Sequence, residues 1–291
     1  MKIKHIFIIL LITNIILADE SIRIIPPQSK FDSSHNYFYT LLKKILAPSN
    51  KEQSNINILF SKKMEQGRAL LQLKNNDNID IYWAGSSINR EKELRAIKIP
   101  LLKGLLGYRV FIIKKKDRYL FDKITNIEEL KKLTACQGTH WPDTKILENS
   151  NFNLIKNTNY ESMFLQVNSN RCSYFPRGIH EAYSEIDARK ASYPELVLYD
   201  KLIIYYPFPM YFFVSKENEK LALKIETRLL EMIENGNFNK HLKESTITKH
   251  LFPMKNWNNK KIFKISNPLL STSTNINDEK FWILPNIDTP K

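Results

Sequence analysis

Strand-like and helix-like segments alternate twice along this 291-residue chain, and the break between the two runs constrains the fold more than any single motif. The first run reads as strand (21–25), helix (37–46), strand (56–60), helix (64–73) and strand (79–83). Its helices carry apolar residues three and four apart, as at Ala69, Leu70 and Leu73. Strands that alternate with helices call for a parallel sheet covered on both faces. A strongly β-prone run at 108–113 follows, and then a basic, polar stretch at 114–118. The alternation then restarts. A capping pattern at Thr125-x-x-Glu128, or one step later at Asn126-x-x-Glu129, opens a helix to Lys132. Next come strands at 133–137, 152–155 and 172–175, with helices after 142 and at 160–167 and 178–189. Strands at 202–206 and 211–214 flank Pro207-Phe208-Pro209. The most regular helix spans 217–234, with Gly236 as its stop, and a short helix at 237–243 follows it. From Pro253 the chain reads as irregular, with Trp257 and Trp282 as anchors.

This order predicts two α/β lobes, the second inserted into the first and joined to it by two crossing strands. Each lobe is a mostly parallel sheet flanked by helices. The first lobe takes 19–112 and 209–265, the second 113–208, and 266–291 forms an irregular tail. Two lobes so joined enclose a cleft, and open sheets of this kind bind ligands beyond the carboxyl ends of their strands.

The N-terminus has its own pattern. Lys2, Lys4 and His5 precede an apolar run at 6–17, broken only by Thr13 and Asn14, and Ala18 then leads into Asp19 and Glu20. A basic start, a short apolar stretch and a small residue make a secretory signal peptide. The run falls short of the roughly 20 residues that span a bilayer. Residues 1–18 are therefore expected to be removed near Ala18, and the mature protein to be periplasmic. No Cys follows the run to carry a lipid.

The net charge of +14 drops to +12 once Lys2 and Lys4 leave with the signal peptide. The lysines are scattered, apart from Lys114-Lys115-Lys116, so the charge reads as solvated surface, with no nucleic-acid motif. Export permits a bond between Cys136 and Cys172, but their apolar neighbours favour buried free thiols, which is the expectation. No Gly-x-Ser-x-Gly, phosphate loop or His-Glu-x-x-His is present, and the histidines beyond the leader lie far apart in sequence. Neither catalysis nor a cofactor or metal is expected, and the chain reads as a monomer.

Several segments in order resemble the extracytoplasmic solute-binding proteins of polar amino-acid uptake systems, which have the type II periplasmic-binding fold. These segments are Asn76-Asp77-Asn78-Ile79-Asp80-Ile81-Tyr82-Trp83 leading to Ser87-Ile88-Asn89-Arg90, the turn Gln137-Gly138-Thr139, Arg171-Cys172-Ser173, and the stretch 202–242. Trp141-Pro142-Asp143-Thr144 and Tyr174-Phe175-Pro176-Arg177-Gly178 place the chain in an orphan branch. The resemblance covers about residues 20–250. It implies capture of a small solute for an ABC-type importer, working with a membrane permease. The alternative is a ligand-sensing module that signals to a membrane receptor. Ser173 stands where the family has Asp, and Arg177 lies where a carboxylate holds a ligand ammonium. These departures weigh against an amino acid and towards an anionic or carboxylate-bearing solute.

The resemblance casts Arg90 as the clamp for a solute carboxylate, a role its planar fork of donors suits. Ser87 and Trp83 stand at the same strand end. Gln137, Gly138, Thr139 and Trp141 form a strand-to-helix turn whose free N–H groups and aromatic wall suit a ligand. Arg177, read as opening the last helix of the second lobe, is a second anion clamp across the cleft, or a partner of Glu181. The leader yields the first prediction: mass spectrometry of the mature protein finds an N-terminus near Asp19. Full-length protein recovered from the cytosol would refute export.

Overall fold

A computed structural model describes residues 21–47, 56–257 and 260–284; the expected signal peptide and cleavage site lie outside them. The chain opens with β1 (Ser21–Ile24), α1 (His35–Leu46) and β2 (Asn57–Phe60), and β2 lies parallel to β1 with Ile22 opposite Ile58. Helix α1 forms because Tyr37, Phe38, Leu41, Leu42 and Ile45 fall on one buried stripe, while Lys43 and Lys44 sit in its last turn, where they suit the helix dipole. Asp32 Oδ1 accepts the His35 N–H (3.1 Å) at its start. Next come α2 (Gln66–Lys74), β3 (Tyr82–Gly85), α3 (Ile88–Glu93) and β4 (Arg95–Ile97).

The chain then crosses on β5 (Tyr108–Lys114), buried from Tyr108 to Ile113 because strands flank it on both edges and helices cover its faces. The second run adds α4 (Arg118–Asp122), α5 (Ile127–Lys131), β6 (Thr134–Gly138), α6 (Pro142–Asn149), β7 (Asn153–Asn157), α7 (Tyr160–Asn168), β8 (Tyr174–Gly178), α8 (Ala182–Arg189) and β9 (Leu196–Tyr205). Of the two capping patterns the later is used: Asn126 accepts the Glu129 N–H (3.1 Å), while Glu129 reaches back to Thr125 N–H (2.8 Å). The chain ends with β10 (Met210–Val214), α9 (Glu219–Glu234), α10 (Asn237–Glu244) and β11 (Lys261–Lys264).

One sheet has the order β11-β9-β5-β8-β6-β7. Its β11–β9, β8–β6 and β6–β7 pairs are parallel, and β5 is antiparallel to β8 and β9. In the first unit only β1 and β2 are parallel; β10 returns antiparallel between β3 and β4. Helix α9 then packs on β4, β10 and α1, and α10 lies beside it. The architecture is a two-lobed α/β fold.

Three local expectations change, and the irregular tail agrees with its reading. Cys136 and Cys172 form a disulfide, not free thiols: the start of β8 runs beside β6, and this brings their Cα atoms to 5.6 Å although 36 residues separate them. The strand expected at 172–175 runs from Tyr174 to Gly178, so Arg177 lies on β8 and not at a helix start. Pro176 is tolerated there because the ladder to β6 stops at the Ala135–Tyr174 pair, leaving a sheet edge beyond. The segment 261–264, read as irregular and within the first-lobe span 209–265, is an edge strand of the six-stranded sheet. Finally, the tail at 266–284 contains neither helix nor strand, yet it is pinned. Leu269 O accepts Ile88 N–H, Lys103 O accepts Ile283 N–H (both 2.9 Å), and buried Trp282 covers Gly104, where a Cβ would sit 2.4 Å from its ring.

Two predictions follow from this packing. Closing a loop of 36 residues is worth on the order of 3–4 kcal/mol. Replacing both cysteines by serine therefore lowers Tm by roughly 6–16 °C in calorimetry, and thiol titration of the denatured native protein finds no free thiol. The second concerns His241, which joins α10 to α1. Its Nε2–H donates to Tyr37 O (3.1 Å) and its Nδ1 accepts from Lys44 Nζ (3.2 Å). Burial and the Lys44 ammonium lower its pKa to about 4. The unfolded state takes up this proton first, so the contribution is complete above about pH 6.5 and is lost as pH falls through 4. Denaturant unfolding between pH 7 and 4 shows that loss, and His241→Gln flattens it; an unchanged slope would refute the assignment.

Candidate functional site

The strand ends of the two units meet around a cavity of about 140 Å³. Gln66, Tyr82 and Gly85 wall it on one side, and Arg109, Trp141, Asp143, Tyr160, Arg177 and Glu181 on the other, with Phe208 at the crossing. Alternation along β3 decides which aromatic reaches it: Tyr82 lines the cavity, while Trp83 turns into the core against Phe38 (5.4 Å) and His35 (5.1 Å). Trp83 is thus a packing residue, because its neighbours on that face come from α1 and β10. Tyr37 is likewise core, its hydroxyl donating to Leu101 O (2.6 Å).

The floor is an alternating row of charges. Arg109, on β5, directs Nε to Tyr206 Oη (2.9 Å) and Nη2 to Asp143, and its Nη1 lies 3.6 Å from Glu181 Oε1 without hydrogen-bonding it. Arg177, on β8, pairs with Glu181 (2.9 Å) and fork-to-fork with Glu185 (2.8 and 2.6 Å). It also lies 5.0 Å over the Trp141 ring. Burial works against the charge on both guanidiniums, yet the facing carboxylates hold both above their ordinary pKa. Beneath them His180 is fully buried; burial, Arg109 and Arg177 push it down to about 3, so it stays neutral.

Arg90 has a different environment. Its backbone N–H is accepted by Ser87 Oγ (3.3 Å), which caps α3. Its guanidinium donates to Gly85 O (2.6 Å), Gln66 Oε1 (2.5 Å) and His140 O (2.9 Å). It therefore sits just behind the wall and bridges the two units. All three acceptors are neutral, and burial lowers its pKa to about 10. Two further bonds cross the cleft: Ser29 Oγ to Glu161 Oε1 and Ser33 Oγ to Ser184 Oγ, both 2.6 Å.

At the end of β6, Gln137 is buried and ties its own side chain to Gly138 N–H (3.1 Å) and Asp143 (3.4 Å). Gly138 lets Trp141 fold over it, since a Cβ there would meet the ring at 2.4 Å. Thr139 is exposed and spends its N–H on Asn157 O (3.0 Å). The structure thus places Trp141 and Arg177 on the cavity wall, Arg90, Ser87, Gln137 and Gly138 behind it, and Thr139 outside. The sequence reading missed Arg109, Asp143, Tyr82, Tyr160 and Phe208. Arg109 left one signal, a charged residue inside the apolar run 108–113. Among the described residues no group of side chains is arranged to hold a metal ion, and no helix is long and apolar enough to cross a membrane.

No family model and no curated protein sequence matches the chain. Solved structures do. An ancestral arginine-binding protein bound to arginine is 18% identical and covers 78% of this chain and 98% of its own, with a TM-score of 0.56. A structure concerned with glutathione import through the cystine ABC importer of Streptococcus mutans is 14% identical over 78% of this chain and 95% of its own, at 0.59. A histidine kinase sensor domain with similarity to periplasmic binding proteins is 11% identical over 79% and 96%, at 0.56. The chain has the fold of the two-lobed periplasmic binding proteins.

Proposed function

We propose that this protein is an extracytoplasmic solute-binding protein that captures a small, carboxylate-bearing polar solute between its lobes for an ABC-type importer. The first lobe carries β1 to β4, β10, α9 and α10, and the second the six-stranded sheet. The observation that carries the reading is the contrast among three guanidiniums. Arg109 and Arg177 are matched by Asp143, Glu181 and Glu185, whereas Arg90 has only neutral acceptors. A partly buried cation with no carboxylate bonded to it is costly. A solute carboxylate that replaced Gln66 or His140 as acceptor would supply that bond and join both lobes.

The rest of the wall favours a positive group on the same solute. Three carboxylates face two guanidiniums in the floor, and Asp32 and Glu65 add two more on the wall. Arg177, matched by Glu181 and Glu185, does not oppose an ammonium, so the objection to an amino acid drawn from its sequence position loses its force. Likeness to a kinase sensor domain favours a second reading, in which the closed lobes signal to a membrane receptor. Neither reading assigns catalysis.

A thermal-shift screen of the mature protein against amino acids and other small acids identifies the ligand. In titration calorimetry with that ligand, Arg90→Ala weakens binding roughly 30- to 1000-fold, the worth of one lost bidentate pair. Arg90→Lys recovers part, because an ammonium lacks the fork. Wild-type affinity in Arg90→Ala would overturn the clamp.

A further inference from the structure

The cavity is small, but it is not closed. Glu65 and Thr158 belong both to its wall and to that of a second, open groove of about 860 Å³. This groove runs out between the lobes. Lys63, Met64, Arg68 and Leu71 line it from the first lobe, and His140 and Thr158 from the second. At its narrowest the lobes nearly touch: a Cβ on Gly67 would stand 3.2 Å from the His140 ring. Lys63 and Arg68 have no salt-bridge or hydrogen-bonded partner among the described residues, whereas every arginine around the cavity has one. Met64 and Leu71 supply apolar surface in the same groove. The two cations face Glu65 at the neck, and Lys63 also acts at longer range on Glu161, which Arg189 already pairs.

We propose that this groove is a second subsite, and that the natural solute is an amino-acid head prolonged through its side chain to a second anionic group. This rests on the capture reading above and adds to it the length and charge of the ligand. The head fills the 140 Å³ cavity, with its carboxylate towards Arg90 and its ammonium towards the acidic floor. The linker passes Glu65 and Thr158 over Met64 and Leu71. The distal anion lies over Lys63 and Arg68. A wide, solvated groove suits such a tail, because a distal carboxylate kept partly hydrated pays little desolvation while two ammonium and guanidinium groups attract it.

Three probes with one head separate length from charge: L-glutamine, γ-glutamylethylamide and γ-glutamylglycine. The last two are alike in length and differ in the terminal carboxylate. In calorimetry at low salt, γ-glutamylglycine binds about tenfold tighter than γ-glutamylethylamide. The double variant Lys63→Glu, Arg68→Glu abolishes that preference and leaves L-glutamine affinity unchanged. Equal affinities for the two extended probes, or a preference that survives the double variant, would overturn the subsite while leaving capture of the head intact. Failure of all three probes to bind overturns this ligand class, and the capture reading then stands or falls on the wider screen.

Discussion

The buried row Asp143, Arg109, Glu181, Arg177, Glu185 is the interaction on which the second lobe's half of the site depends. Its members come from β5, α6 and the continuous stretch of β8, its turn and α8, so three separate parts of the chain must meet for the whole row to be paired. Each ion alone would lose several kcal/mol on leaving water, and together they regain it only in this geometry. The row ties α6 and α8 to the sheet. Trp141 covers it, Gly138 makes room for Trp141, and Tyr160 closes the far end with its hydroxyl on Glu185. The second lobe's wall of the cavity is built on this array.

Arg90 belongs to the other lobe and to a different logic. Its partners are two acceptors of its own lobe and the His140 carbonyl across the cleft. Few such bonds hold the lobes together, and the others, Ser29 to Glu161 and Ser33 to Ser184, are between side chains at the cleft edge. Glu161 is in turn held by Arg189, and the Arg189 guanidinium lies 5.2 Å from the Phe31 ring of the first lobe. Contacts of this kind are individually weak, so closing and opening the cleft costs little beside the stability of either core. Hinge motion between rigid lobes is the expected consequence.

Away from the cleft, the two lobes are joined by more than β5 and the β9–β10 connection. The chain beyond α10 places β11 on the edge of the six-stranded sheet, and residues 266–284 then lie along the first lobe with Trp282 against Gly104. The tail thereby ties both lobes at the side of the crossing strands. There, Asn267 Nδ2 donates to Pro207 O (2.8 Å). It does so without regular structure because its backbone groups find partners singly, at Ile88 and Lys103.

The alternation of short apolar runs with amphipathic segments was enough to place α1, α9 and the six-stranded sheet's inner strands, because burial of a stripe or a face depends on spacing within one element. The Asn126 cap was likewise one of the two that the sequence offered, because a cap is a local hydrogen bond. What spacing cannot carry is which elements meet. Nothing within residues 261–264 marks a strand, since an edge strand gains its order from β9. Cys136 and Cys172 read as apolar and separate until β6 and β8 set them side by side. Trp83 was the wall residue read from the sequence, and only the position of α1 turns it into the core and leaves Tyr82 to the cavity. Arg90 was legible as a charged residue just past a strand end, and Arg177 as one at the start of a helix, although it lies on β8. That two carboxylates pair with Arg177, while Arg90 hydrogen-bonds only neutral acceptors and feels Asp143 from further off, was decided by tertiary structure, because the field at a charge comes from the groups that packing brings within a few ångströms.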